Sequence, residues 1–83
     1  MSKVLVKLYV PLIECQYDIL VPANKKVHKV IKLLVKSVNE LSGGYYNVVE
    51  MPMLYDKITA IMYDINLTIK ENNIQNGTEI ILI

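Results

Sequence analysis

Few residues of this 83-residue chain have the chemistry that catalysis or metal binding requires. His28 is the only histidine and Cys15 the only cysteine, so neither has a second ligand of its own kind, and no nucleophile is evidently paired with a base. We interpret His28 as a solvated residue beside Lys25 and Lys32, and Cys15 as a small apolar side chain on a buried strand face. We predict no catalytic residue, no metal site and no cofactor.

Glu14 and Asp18 form the one pair of carboxylates whose spacing suggests acid–base chemistry. Residues four apart on a strand share a face, and Lys7 of the neighbouring strand is expected to lie between them. A pair of catalytic carboxylates needs a cleft, whereas this pair is predicted on an open sheet face. We therefore interpret both as surface charges and predict that the protein is not an enzyme.

The composition predicts one small domain spanning residues 1–83, because 53% of the residues are hydrophobic and there is room for a single core. A lone cysteine cannot form an internal disulfide, which favours a reducing compartment. Lys7 interrupts the first apolar run before a signal-peptide core develops, and no stretch of about 18 apolar residues follows. We expect a cytoplasmic protein without direct membrane insertion.

Two strands are predicted at the start of the chain, because apolar residues alternate there with a period of two. Pro11 and Leu12 are expected to form the turn of a hairpin in which Val10 lies opposite Ile13. The inward residues of the first strand are Val4, Val6, Leu8 and Val10, and those of the second are Ile13, Cys15, Tyr17, Ile19 and Val21.

One amphipathic helix is predicted next, since apolar residues recur at a spacing of three and four. They are Val27, Val30, Ile31, Leu34, Val38 and Leu41. Asn24 is a candidate N-cap, and Gly43 with Gly44 supplies the left-handed residues that commonly end a helix.

The second half of the chain predicts another hairpin and a final strand. The segments "YYNVVEM" and "KITAIMYD" have strand composition, with Pro52–Asp56 as their connection. A compact turn region anchored by Leu67 and Ile74 follows. The last four residues, 80–83, are continuously apolar, as in a strand at the centre of a sheet. The elements together predict an α+β fold of the β-grasp type, a mixed sheet of four to five strands packed on one helix.

At this point the sequence resembles a known family. "YDILVPANKKVHKVIKLLVKSVNEL" is similar to the second strand and helix of the YukD-like ubiquitin-like proteins, and "NLTIKENNIQNGTEIILI" is similar to their closing segment. The resemblance implies a cytoplasmic accessory protein of the type VII secretion system of Gram-positive bacteria that acts through protein–protein binding. Conjugating relatives end in a flexible Gly-Gly, which this sequence lacks, so we expect neither conjugation nor sulfur transfer.

Three surfaces are candidates for partner binding. The first is the sheet face turned away from the helix, with an apolar patch of Leu5, Tyr9, Leu20, Ile81 and Ile83 that could bind a protein or a second copy of the chain. Scattered exposed apolar residues are also ordinary in small domains. Replacing Ile81 with aspartate is expected to leave the fold intact and weaken binding. The second surface, "EMPMLYD", is either an adaptable binding loop or a lid on the core.

The third surface is a lysine stripe on the helix, defined by Lys25, Lys29, Lys32 and Lys36. It is either a solvated face or a docking site for an acidic partner. Nucleic acid is less favoured, because the stripe contains neither arginine nor aromatic residues. A β-grasp adaptor or dimerising module unrelated to secretion is the alternative to the secretion role.

Overall fold

The structure is a computed structural model that describes residues 2–83. Strands β1 (Lys3–Val10) and β2 (Cys15–Pro22) precede helix α1 (Val27–Leu41), and strands β3 (Leu54–Asp56) and β4 (Glu79–Leu82) follow it. The four strands form one mixed sheet in the order β2-β1-β4-β3. One face of this sheet packs with α1 around a single hydrophobic core, which agrees with the predicted architecture.

The first hairpin has the predicted faces but a different register. Val10 pairs with Cys15 rather than Ile13, because a short 3-10 helix over Pro11–Ile13 and a left-handed Glu14 (φ 52°) form the connection. The shift is two residues, so inward residues still meet inward residues. Along the shifted register Lys7 lies directly opposite Asp18.

Helix α1 begins without the predicted side-chain cap. Its N-cap residue is Lys26 rather than Asn24, and no side chain bonds to the first turn. The amides of Val27 and His28 instead donate to the carbonyl oxygens of Leu67 and Ile65, at 2.9 and 3.1 Å. These bonds satisfy the first donors of the helix and fasten the turn region to it.

The end of α1 follows the prediction. Gly43 and Gly44 adopt φ values of 68° and 91°, and their amides donate to carbonyl oxygens of the last helical turn. The Asn39 side-chain amide then donates to the carbonyl of Tyr46 at 2.7 Å, while the Ser42 hydroxyl accepts from the Tyr46 amide at 2.9 Å. Tyr46 is thereby held in the core with only 2% of its surface exposed.

The second hairpin was predicted with the wrong boundaries. Its strand β3, Leu54–Asp56, lies inside the segment that the sequence assigned to the connection, and residues 45–53 form no strand. The chain turns back after Asp56 and makes a single bridge from Tyr55 to Met62. Met53 and Ile83 exchange two backbone hydrogen bonds, at 2.7 and 3.0 Å, which continue the ladder beyond β3.

Strand β4 lies in the middle of the sheet, as its apolar sequence predicted. It pairs in parallel with β1 and antiparallel with β3. Ile80 and Leu82 are buried in the core, whereas Ile81 is half-buried on the opposite face. The preceding turn region is anchored by Ile69 and Ile74, while Leu67, predicted as an anchor, is 37% exposed.

Candidate functional site

The outer sheet face, turned away from α1, consists of rows of side chains that cross the strands. One row joins Leu20 to Leu5. The next row is charged and runs from Asp18 through Lys7 to Glu79. The third row joins Tyr9, Ile81 and Tyr55, and Ile83 lies beyond it with 61% of its surface exposed.

The structure therefore divides the five predicted patch residues into two groups. Leu5 pairs with Leu20, and Tyr9 pairs with Ile81. Leu5 and Tyr9 are four residues apart on β1, a separation of about 13 Å at the usual rise of a strand. Lys7 lies between them, so the outer face presents two apolar areas on either side of a charged row.

The larger apolar area contains an aromatic residue that the sequence did not assign to it. This residue is Tyr55, which the sequence assigned to a connection. The pairing of β3 with β4 places it beside Ile81. The Lys57 ammonium lies 5.2 Å from the centroid of the Tyr9 ring, a cation–π arrangement. Tyr9 and Ile81 are consequently half-buried, and Ile83 is the most exposed member of this area.

The segment "EMPMLYD" contributes both to the core and to the surface. Pro52 and Leu54 are buried, while Met51 is 54% exposed. An open cleft lies at this end of the sheet, lined by Leu12, Tyr46, Val48, Glu50, Met51, Pro52, Leu82 and Ile83. Pro52 and Leu54 therefore close this end of the molecule, and a binding role for the exposed Met51 stays a prediction.

The lysine stripe is exposed along its whole length. Lys29, Lys32 and Lys36 lie on α1, and Lys25 lies in the turn that precedes it. The turn also contributes structure, because the carbonyl of Lys25 accepts from the amide of Ile69 at 3.0 Å. The four ammonium groups thus face solvent from one side of the molecule.

The residues that suggested chemistry are dispersed. Cys15 is half-buried on the inward face of β2, His28 is half-buried on the first turn of α1, and Glu14 and Asp18 are exposed. Within residues 2–83 no three metal-ligating side chains come together.

A tight turn after β3 presents apolar residues that sequence reasoning assigned to a strand. The Asp56 carboxylate accepts from the amides of Ile58 and Thr59, both at 2.9 Å, and from the Tyr63 hydroxyl at 3.0 Å. Ile58 is 80% exposed as a result. The pKa of Asp56 is lowered by the hydrogen bond from the Thr59 amide, and further by those from the Tyr63 hydroxyl and the Ile58 amide. Desolvation acts in the opposite direction and raises it, but the hydrogen bonds outweigh it. Burial and the bond to Asp56 raise the pKa of Tyr63.

The mixed sheet packed on one helix is a β-grasp, or ubiquitin-like, fold. No family model matches the sequence, and no curated protein matches it. Among solved structures, the ubiquitin-like domain of EccD5 from Mycobacterium xenopi superposes with a TM-score of 0.84 at 18% identity, covering 100% of this chain and 94% of that one.

Two further solved structures show the same fold. The ubiquitin-like domain of the Mycobacterium tuberculosis type VII secretion system protein EccD1 has a TM-score of 0.80 at 13% identity and covers 100% of this chain and 99% of its own. A ubiquitin-like domain of an Arabidopsis thaliana protein has a TM-score of 0.65 at 17% identity, over 100% of this chain and 78% of its own. At these identities the likeness shows the ubiquitin-like fold alone.

Within residues 2–83, no helix has both the length and the apolar character that a membrane span requires.

Proposed function

We propose that this chain is a non-conjugating ubiquitin-like accessory domain of a type VII secretion system, of the YukD-like group, that acts in the cytoplasm by binding proteins rather than by catalysis. The observation that carries the proposal is the superposition on two ubiquitin-like domains of type VII secretion proteins over the full length of this chain. The sequence resemblance to the YukD-like family of Gram-positive bacteria supports the same role. A β-grasp adaptor unrelated to secretion is the alternative.

The outer sheet face is the proposed protein-binding surface. Ile83, Leu20 and Leu5 are 61%, 59% and 45% exposed. Tyr9 and Ile81 extend the surface beside Ile83. Large exposed apolar side chains favour burial against a partner by about 25 cal/mol per Å² of apolar surface. The charged row through Lys7 would fix the orientation of that partner, or of a second copy of the chain.

Ile83 is a better probe of this surface than Ile81. The half-buried Ile81 side chain lies between two tyrosines on the central strand, so an aspartate there would also destabilise the fold. An Ile83→Asp change alters an exposed side chain and leaves the backbone bonds to Met53 available.

Deleting the gene in its own bacterium is expected to abolish export of type VII substrates, and the wild-type gene should restore it. An Ile83→Asp gene should restore export poorly despite normal protein levels, because a carboxylate is costly to bury at an apolar contact. Substrates would be quantified in the culture medium by immunoblot, with a protein of the general secretory pathway as the control. Unchanged type VII export after deletion would contradict the secretion role and favour the general adaptor.

The lysine stripe supports a second contact, with an acidic protein surface. Its four exposed lysines share one side of the molecule. Replacing Lys29, Lys32 and Lys36 together by glutamine should weaken such binding without unfolding the helix, since glutamine is a good helix former. Calorimetric titration with a purified secretion ATPase at several salt concentrations would measure this. A steep loss with salt and equal binding to random DNA would instead indicate nucleic acid.

A further inference from the structure

Strand β2 forms an edge of the sheet, so one side of its backbone is unpaired. The amide of Ala23 donates to the carbonyl of Ser2 at 3.0 Å, which fixes the alternation of hydrogen bonds along the hairpin. By that alternation, the N–H and C=O groups of Gln16, Asp18 and Leu20 point away from β1. These six groups form a template that an added strand could pair with.

A groove follows this free edge on the side of the helix. One cleft is lined by Ile13, Cys15, Tyr17, Leu41, Ser42 and Tyr45, and the neighbouring cleft by Asp18, Ile19, Ser37, Glu40 and Leu41. Leu41 borders both clefts and is 59% exposed. The two clefts with the free edge are named the β2 groove.

The charge of the β2 groove indicates which strand it would accept. Residues 13–22 carry the exposed Glu14 and Asp18 and no basic residue, while Lys7 of β1 lies on the side of Asp18 away from the free edge. Two copies that paired through β2 in antiparallel fashion would place these carboxylates close together, and like charges on paired strands are destabilising. A strand that carries basic side chains would meet complementary charge.

We propose that the β2 groove binds an extended peptide segment that alternates apolar and basic residues, as an additional strand of the sheet. Side chains of an added strand alternate between the two faces. Its apolar side chains would enter the clefts beside Leu41, and its basic side chains would lie on the other face, next to Asp18. Backbone hydrogen bonds would supply affinity and the two side-chain rows specificity. The groove meets the outer sheet face only at its β2 margin, at Asp18 and Leu20, and the proposal stands independently of the secretion role.

Fluorescence anisotropy with a labelled, acetylated and amidated KVKVKVK peptide tests the proposal. The peptide should bind, whereas EVEVEVE should not. Only alternate amides of an added strand face its neighbour, so either the valine amides or the lysine amides should pair with β2. N-methylation of that set should weaken binding by roughly tenfold or more, whereas N-methylation of the other set should be tolerated. The sensitive set also reveals whether the strands run parallel or antiparallel. Equal effects of both methylated sets would overturn the proposal.

Variants of the chain provide the second arm. Leu41→Glu should lose binding of KVKVKVK by roughly tenfold or more, because it places a carboxylate between the two clefts. Asp18→Lys should transfer the preference to EVEVEVE. Ile58→Glu is the matched control, since Ile58 is 80% exposed beyond β3, at the opposite edge of the sheet. Circular dichroism would verify that each variant is folded, and unchanged binding by a folded Leu41→Glu variant would refute the groove.

Discussion

Replacing Leu82 with alanine is expected to lower the free energy of unfolding by about 2–5 kcal/mol. The Leu82 side chain is 1% exposed and belongs to the core on the inward face of β4, between strands β1 and β3. A cavity at this position removes contacts with both neighbouring strands and with the helix layer. Because small domains are stable by only about 5–15 kcal/mol, the variant should unfold at a clearly lower urea concentration.

The adjacent residue is the matched control. Ile83 is 61% exposed, so Ile83→Ala should change the free energy of unfolding by less than about 1 kcal/mol. Urea titrations followed by circular dichroism compare the two variants directly. Equal destabilisation would mean that the C-terminal strand does not alternate between a buried and an exposed face.

The faces of the first hairpin and the central position of β4 could be predicted because both follow from the apolar pattern. A shift of the hairpin register by two residues leaves every side chain on the same face of the sheet. Val6 and Leu8 therefore lie in the core in the predicted and in the observed register. The register itself depends on the backbone of the turn. Glu14 in a left-handed conformation lengthens the connection, and a glutamate gives no sequence signal for that geometry.

The segment from Tyr45 to Tyr63 could not be predicted from composition, because side-chain hydrogen bonds override its strand propensity. Asn39 and Ser42, on the preceding helix end, hold the backbone of Tyr46. The Asp56 carboxylate accepts hydrogen bonds from two backbone amides and so closes a turn, although the β-branched residues that follow favour a strand. Such bonds depend on tertiary position, which periodicity does not encode.

The candidate surfaces show the same division. The pairing of Tyr9 with Ile81 follows from placing β4 beside β1, which the sequence predicted. The charged row that separates this pair from Leu5 depends on the register of β1 with β2. The position of Tyr55 beside Ile81 depends on the register of β3 with β4. The β2 groove depends on how α1 lies across the sheet, so the sequence identified several of its residues only as inward-facing strand positions.

Asp56 provides the second large effect that we expect. Replacing Asp56 with alanine should lower the free energy of unfolding at pH 7 by about 1–3 kcal/mol, because two backbone amides and the Tyr63 hydroxyl lose their charged acceptor. Tyr63→Phe removes one of the three bonds and should cost about 0.5–1.5 kcal/mol. Glu50→Gln, at an exposed position, should change stability by less than about 0.5 kcal/mol.

The pH dependence of stability separates the charge of Asp56 from its geometry. The folded protein holds the pKa of Asp56 below its ordinary value of 3.8, so the unfolded chain takes up the proton first as the pH falls. The stabilisation is therefore complete above about pH 5 and is lost as the pH falls through 3.8 toward the lower folded pKa. An Asp56→Asn variant can still accept the two amide bonds through its carbonyl oxygen but cannot titrate. Its stability should fall less steeply than that of the wild type between pH 5 and 3 in urea titrations, and identical slopes would contradict the assignment of this acid sensitivity to Asp56.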